Sequence, residues 1–157
     1  MTTIPKETTN LGGIAKVWAI PSFLVDIRNQ PAAPESYSLP EGFGDYLVEL
    51  PPVFQSGKFI ESGKPTPSGT LYESTISLNI AKDKPAAAIH VNQLQQRTWS
   101  VLWQDQNGQY RLTGSKAYPM RVAIQRNSGA DISDLNHIHL EFVAPSAYPS
   151  IFIGNPF

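Results

Sequence analysis

The chain contains no cysteine. That absence excludes a disulfide framework, a thiolate metal centre and a cysteine nucleophile, and it leaves the redox compartment open. Charge is scarce as well: charged side chains make up 16% of the residues, against roughly 25% in an average soluble domain. Twelve basic and thirteen acidic side chains nearly cancel, to −1, so no global field draws nucleic acid or an anionic membrane surface. No apolar run approaches the roughly 18 residues of a membrane span. The opening MTTIPKETTN lacks the apolar stretch of a signal peptide.

What is present is a core-forming complement of 41% hydrophobic and 10% aromatic residues in a chain of 157. A single domain of that size buries roughly two-thirds of its unfolded surface and needs no metal or cross-link to hold a core. Fourteen prolines and eleven glycines predict many turns and few long helices.

Residues 1–13 read as a flexible N-terminal arm ending at Gly12-Gly13, and residues 14–157 as a single β-rich domain. The apolar, β-prone run 14–20 predicts a strand closed by Pro21, with residues 23–27 continuing it. A proline- and glycine-broken loop follows over 29–45, then short strands at 46–50 and 58–60 and a turn-rich link over 62–69. The strongest signal spans 71–80, where Tyr72, Ser74, Ile76, Leu78 and Ile80 share one face and Glu73, Thr75, Ser77 and Asn79 the other. Asp83 suits an N-cap and Pro85 the first turn of a helix near residues 84–96, with Ile89, Leu94 and the alanines as its apolar side.

Beyond the helix, Trp99, Val101 and Trp103 alternate with polar residues, and Asn107-Gly108 favours a type I′ hairpin into a return strand over 109–113. Strands over 119–126 (Val122 and Ile124 inward) and 137–143 (Ile138, Leu140 and Phe142 inward) flank a turn at 127–131. The fold class is therefore mainly β: an antiparallel β-sandwich or barrel with one helix near residues 84–96.

Motifs that carry chemistry fail at required positions. His137, His139 and Glu141 point the same way on a strand, about 7 Å apart, and could begin a zinc or iron site if another strand supplied a ligand. Their plain reading is the wet face of a strand whose other face is Ile138, Leu140 and Phe142. Five residues separate Gly57 from Gly63, where the phosphate loop has four, and Pro65 follows Lys64, which breaks that pattern. Trp103 stands where the segment 105–108 would need its first calcium ligand. No Gly-x-Ser-x-Gly elbow occurs. Trp99 and Trp103 fit a core stripe better than a stacking platform, whereas Tyr118 and Tyr148, each beside a proline, read as exposed. No catalytic residue, metal ligand or cofactor is assigned.

From Thr70 to Phe142 the signals follow one another in a definite order. A Tyr-Glu strand, a Lys-Asp-opened helix and an apolar strand lead into Asp105-Gln-Asn-Gly-Gln-Tyr-Arg-Leu-Thr-Gly-Ser-Lys. Pro119-Met-Arg, a Gly129-centred turn, Asp134-Leu-Asn136 and a Leu140-Glu-Phe142 strand follow. This arrangement resembles small phage-derived structural proteins encoded in prophage-like gene clusters, particularly of Bacteroidetes. The resemblance covers about residues 70–142 and rests on turn residues. It implies a non-catalytic assembly component of a phage or tail-like particle, located in the bacterial cytoplasm or in the particle itself.

Three functional classes follow. The first is an assembly subunit acting through protein–protein contacts, as a homo-oligomer or with other assembly proteins, without nucleic acid or membrane. The second is a carbohydrate-binding or adhesion β-module, which would need export. The third is a His-x-His metal-dependent enzyme. For the first, the expected contact segment is the apolar C-terminal end, with Ile151, Phe152, Ile153 and Phe157 as possible assembly contacts. The competing reading of residues 150–153 is a last strand that closes the protein's own sheet.

Overall fold

The computed structural model describes residues 11–27, 37–81, 85–131 and 136–157. It is mainly β, with two antiparallel sheets and one α-helix, and has the form of an open sandwich rather than a closed barrel. The strands are β1 (Ile14–Pro21), β2 (Val48–Glu49), β3 (Lys58–Thr66), β4 (Gly69–Ala81), β5 (Trp99–Asp105), β6 (Tyr110–Thr113), β7 (Arg121–Asn127), β8 (His137–Ser146) and β9 (Ile151–Ile153). The helix, α1, is Pro85–Leu94. A five-stranded sheet runs β2-β1-β5-β6-β9 and a four-stranded sheet β3-β4-β8-β7.

The core lies between the sheets. Val17 and Ala19 of β1 and Trp99, Val101 and Trp103 of β5 face Ile76, Leu78, Ile138, Leu140 and Phe142 of the other sheet. Both tryptophans are thus core residues, not a stacking platform. A second apolar cluster covers the opposite face of the five-stranded sheet. There Trp18, Ile20, Leu102, Leu112, Ile151 and Ile153 pack beneath Val25, Ile27 and the loop residues Tyr37, Leu39, Phe43 and Leu47. Among the described residues the four-stranded sheet has no such second layer: its outer positions on β8 alternate with the buried ones as half-buried or exposed residues.

Backbone bonds stitch the sheets at their corners. Trp99 and Met120 exchange both of theirs, at 2.9 and 2.8 Å. Gly114, at φ +87°, makes the turn that lets this happen, and a Cβ there would lie 2.8 Å from Met120 Cγ and 3.1 Å from the Trp99 carbonyl. At another corner Ile14 N–H donates to Gly57 O at 3.2 Å, so close that a Cβ on Gly57 would meet Ile14 Cβ at 2.8 Å.

Several sequence expectations change. Residues 58–69 are not a short strand and a link, but most of a long hairpin: β3 pairs with β4 from Lys58–Ser77 to Thr66–Gly69. Pro65 is accommodated because β3 is an edge strand, where a missing N–H removes no ladder bond. Residues 23–27 do not extend β1; Ser22–Leu24 form a 3-10 turn that folds the chain over the second core. The expected strand at 46–50 shrinks to Val48–Glu49, after a 3-10 turn at Phe43–Tyr46.

Asp105–Gly108 is not a type I′ turn. Gly108 alone has positive φ there, Gly108 N–H donates to Asp105 O and Asp105 N–H to Gln109 O, which is a type I turn closed by a glycine bulge. The Asp105 carboxylate fixes that form by accepting from the N–H groups of Asn107 and Gln109, both at 2.9 Å. Within α1, Val91 and Leu94 are the core contacts and Ile89 is exposed. Asp83 and residues 1–10 lie outside the described residues. Residues 11–13 are held rather than loose: Asn107 bonds Leu11 N–H and Leu11 O through its side chain, and Gln106 N–H donates to Gly13 O.

Candidate functional site

The C-terminal residues expected as possible assembly contacts divide between two faces. β9 pairs antiparallel with β6, with Ile151 opposite Leu112 and Ile153 opposite Tyr110. The side chains of Ile151 and Ile153 are buried in the second core, so residues 151–153 close the chain's own sheet. Phe152 points the other way, opposite Arg111. Phe157 is 61% exposed, yet its ring lies 4.9 Å from that of Trp18 and 6.2 Å from that of Phe43.

A polar seam runs along the rim where β3 meets β6 and β9. The Trp103 indole N–H donates to Thr113 Oγ1 at 3.1 Å, and the Thr113 hydroxyl donates to Ser150 Oγ at 3.0 Å. Ser150 donates to Glu61 Oε2 through both its backbone N–H (2.8 Å) and its hydroxyl (2.7 Å), and the Ser74 hydroxyl donates to the same oxygen at 2.8 Å. One carboxylate oxygen thereby joins the two sheets. Arg111 packs beside this seam, its guanidinium between the Phe152, Trp103 and Phe59 rings and its Nε buried without a hydrogen-bond partner. Sequence reading did not single out Glu61 or Arg111. The one available signal was Ser74, a polar residue in the inward series of β4.

Tyr148 anchors the loop before β9. Its hydroxyl donates to Ile27 O at 2.9 Å and shares a hydrogen bond with the Ser115 hydroxyl at 2.9 Å. Its ring meets Tyr118 edge-on at 5.6 Å. Tyr148 is therefore an anchor rather than the exposed residue expected beside a proline. Burial, partly offset by the Ser115 bond, raises its pKa above the ordinary 10.0. Burial also raises the pKa of Tyr37, assisted by the negative charge of Asp26.

The His-x-His strand lies on the outer face of the four-stranded sheet. His139 is cross-strand to Asn79, with Nδ1 2.7 Å from Asn79 Oδ1, and its Nε2 is 3.9 Å from Glu141 Oε2. Among the described residues no three His, Asp or Glu side chains gather in a metal-holding group. The His90 side chain is exposed on α1.

The register of this sheet arranges its outer face in transverse rows. One row is Ile60, Thr75, Val143 and Arg121; the next is Lys58, Ser77, Glu141 and Ala123. Ile60 is 48% and Val143 43% exposed, so the first row places aliphatic side chains in water on both sides of Thr75.

Elsewhere a groove of about 630 Å³ opens between Phe23, Gln95, Gln96, Arg97 and the start of β7. No helix among the described residues is long and apolar enough to cross a membrane. No protein-family model matches this chain, and no curated protein or solved structure is significantly similar to it.

Proposed function

We propose that the chain is a non-catalytic assembly subunit of a phage-like particle, acting through protein–protein contacts, and that the outer face of its four-stranded sheet is the contact surface for a second copy. The carrying observation is the row Ile60–Thr75–Val143, which runs inward from the edge strand β3 and holds exposed aliphatic groups on a sheet face that no second apolar layer covers among the described residues. Around it the charges are mixed, with Lys58 and Lys64 on β3, Arg121 ending the row on β7, and Glu73 and Glu141 on the two central strands. Such a face can meet its own copy without stacking like charges.

Four strands spaced roughly 4.8 Å apart and about eight residues long present a face of about 500 Å². A pair of such faces buries about 1,000 Å², the lower bound for a specific association. The turn residues that carry the phage-protein resemblance are consistent with this reading because their work is architectural. Asp105 and Gly108 shape the hairpin, Gly114 turns the corner and Ser115 holds Tyr148. The reading assigns no catalytic residue and no cofactor.

Sedimentation velocity over a range of concentrations tests it. The native chain should form dimers or larger species as concentration rises, and Ile60→Lys with Val143→Glu should shift it to monomer with an unchanged far-ultraviolet spectrum. A native chain that stays monomeric at millimolar concentration overturns the reading.

A further inference from the structure

We infer that the groove at the head of β7 is a docking site for an acidic, extended polypeptide segment of a partner protein. This inference rests on the reading that the chain works through protein contacts, and it names the partner's chemistry. Arg97 and Arg121 line the groove together with the amides of Gln95 and Gln96 and the exposed ring of Phe23. Both arginines are exposed, and neither has a carboxylate within ion-pair distance among the described residues. The chain's net charge is only −1, so two unpaired guanidinium groups on one groove form a local positive site. A planar guanidinium takes a carboxylate through two parallel N–H bonds.

The backbone next to the groove selects a polypeptide. Arg121 is the first residue of β7, and β7 is an outer strand of its sheet. Each other edge is blunted: β2 and β9 have two and three residues, and β3 carries Lys58, Lys64 and Pro65. β7 offers seven residues without proline, about 23 Å of strand. Among the described residues no strand pairs with its outer side. An extended peptide leaving the groove can therefore continue along β7 as an added strand, with main-chain bonds supplying affinity and the arginines selecting acidic side chains. A nucleic acid strand has no use for that edge, and two free cations are few for a polyphosphate ligand.

The test uses the full chain and three fluorescent probes: a decapeptide alternating Glu with Val or Thr, the same peptide with every Glu replaced by Gln, and a ten-residue oligothymidine. The acidic peptide should bind saturably at low salt and perturb the amide signals of Arg121–Asn127. Arg97→Glu and Arg121→Glu should each weaken it at least tenfold, while Arg121→Gln has a smaller effect. Equal binding of the Gln peptide, tighter binding of oligothymidine, no saturable binding, or indifference to both charge reversals overturns the inference. Sedimentation of the same samples separates the two readings, because a chain that self-associates but ignores the peptide loses the groove assignment alone.

Discussion

The guanidinium carbon of Arg111 stands 4.1 Å from the centre of the Phe152 ring, and the two residues are direct cross-strand partners. Phe152 thus shields a cation whose Nε is buried and unbonded. A partly desolvated cation–π pair contributes about 1–2 kcal/mol. Phe152→Ala should lower stability in urea denaturation by about that amount. Arg111→Met keeps the stem's packing and removes the orphaned donor, so it should cost less than Phe152→Ala. The reverse order would show that the charge itself holds the rim together.

Glu61 should matter more than a partly exposed glutamate usually does, because one of its oxygens accepts three hydrogen bonds from Ser150 and Ser74. Removing the acceptor strands those donors at a cost of about 1–3 kcal/mol. Glu61→Ala should lose about 3 kcal/mol and Glu61→Gln about 1, since an amide oxygen still accepts from them. Equal losses in the two variants would contradict a bonding role for the oxygen.

The two tyrosines predict a loss of stability in alkali. Their pKa values are raised in the folded chain from 10.0, so the native state holds its phenolic protons more tightly than the unfolded state does. That contribution is complete below pH 10.0 and is lost as the pH rises from there through the folded values. Thermal unfolding between pH 8 and 11 should show the decline, and Tyr148→Phe should flatten it. An unchanged slope in Tyr148→Phe would remove Tyr148 as a source.

Deleting residues 147–157 should unfold the chain rather than merely free an interface. It removes the Tyr148 anchor together with Ile151 and Ile153 from the second core. Circular dichroism showing a native-like fold in the truncated chain would count against this.

Much of the fold was legible in the sequence where one face of a strand is buried and the other wet, because burial then writes a period of two. β4 and β8 are of this kind, and their inward residues are those the alternation selects. β3 was not legible: its inward series runs Phe59, Glu61 and Gly63, with one apolar member, so hydrophobic periodicity stops after a single residue. Its turn-forming composition then mimics a link. The Asp105 hairpin was placed correctly and typed wrongly, because Asn-Gly fits either turn and the choice is made by Asp105 bonding two N–H groups downstream. The rim site escaped notice because Glu61, Ser74 and Ser150 are far apart in sequence and ordinary as residues. The groove escaped because Arg97 and Arg121 meet only through the Trp99–Met120 corner.

β5 is bonded on one side to β1 and on the other to β6, and both of its faces are covered. The amide protons of its buried residues, Trp99 to Trp103, have no short route to water, so they should exchange chiefly when the whole molecule opens. Deuterium uptake along β5 is therefore a clock for global unfolding, and uptake along the outer side of β7 is a clock for events at the surface. A partner that settles on β7 would slow the second clock before it altered the first.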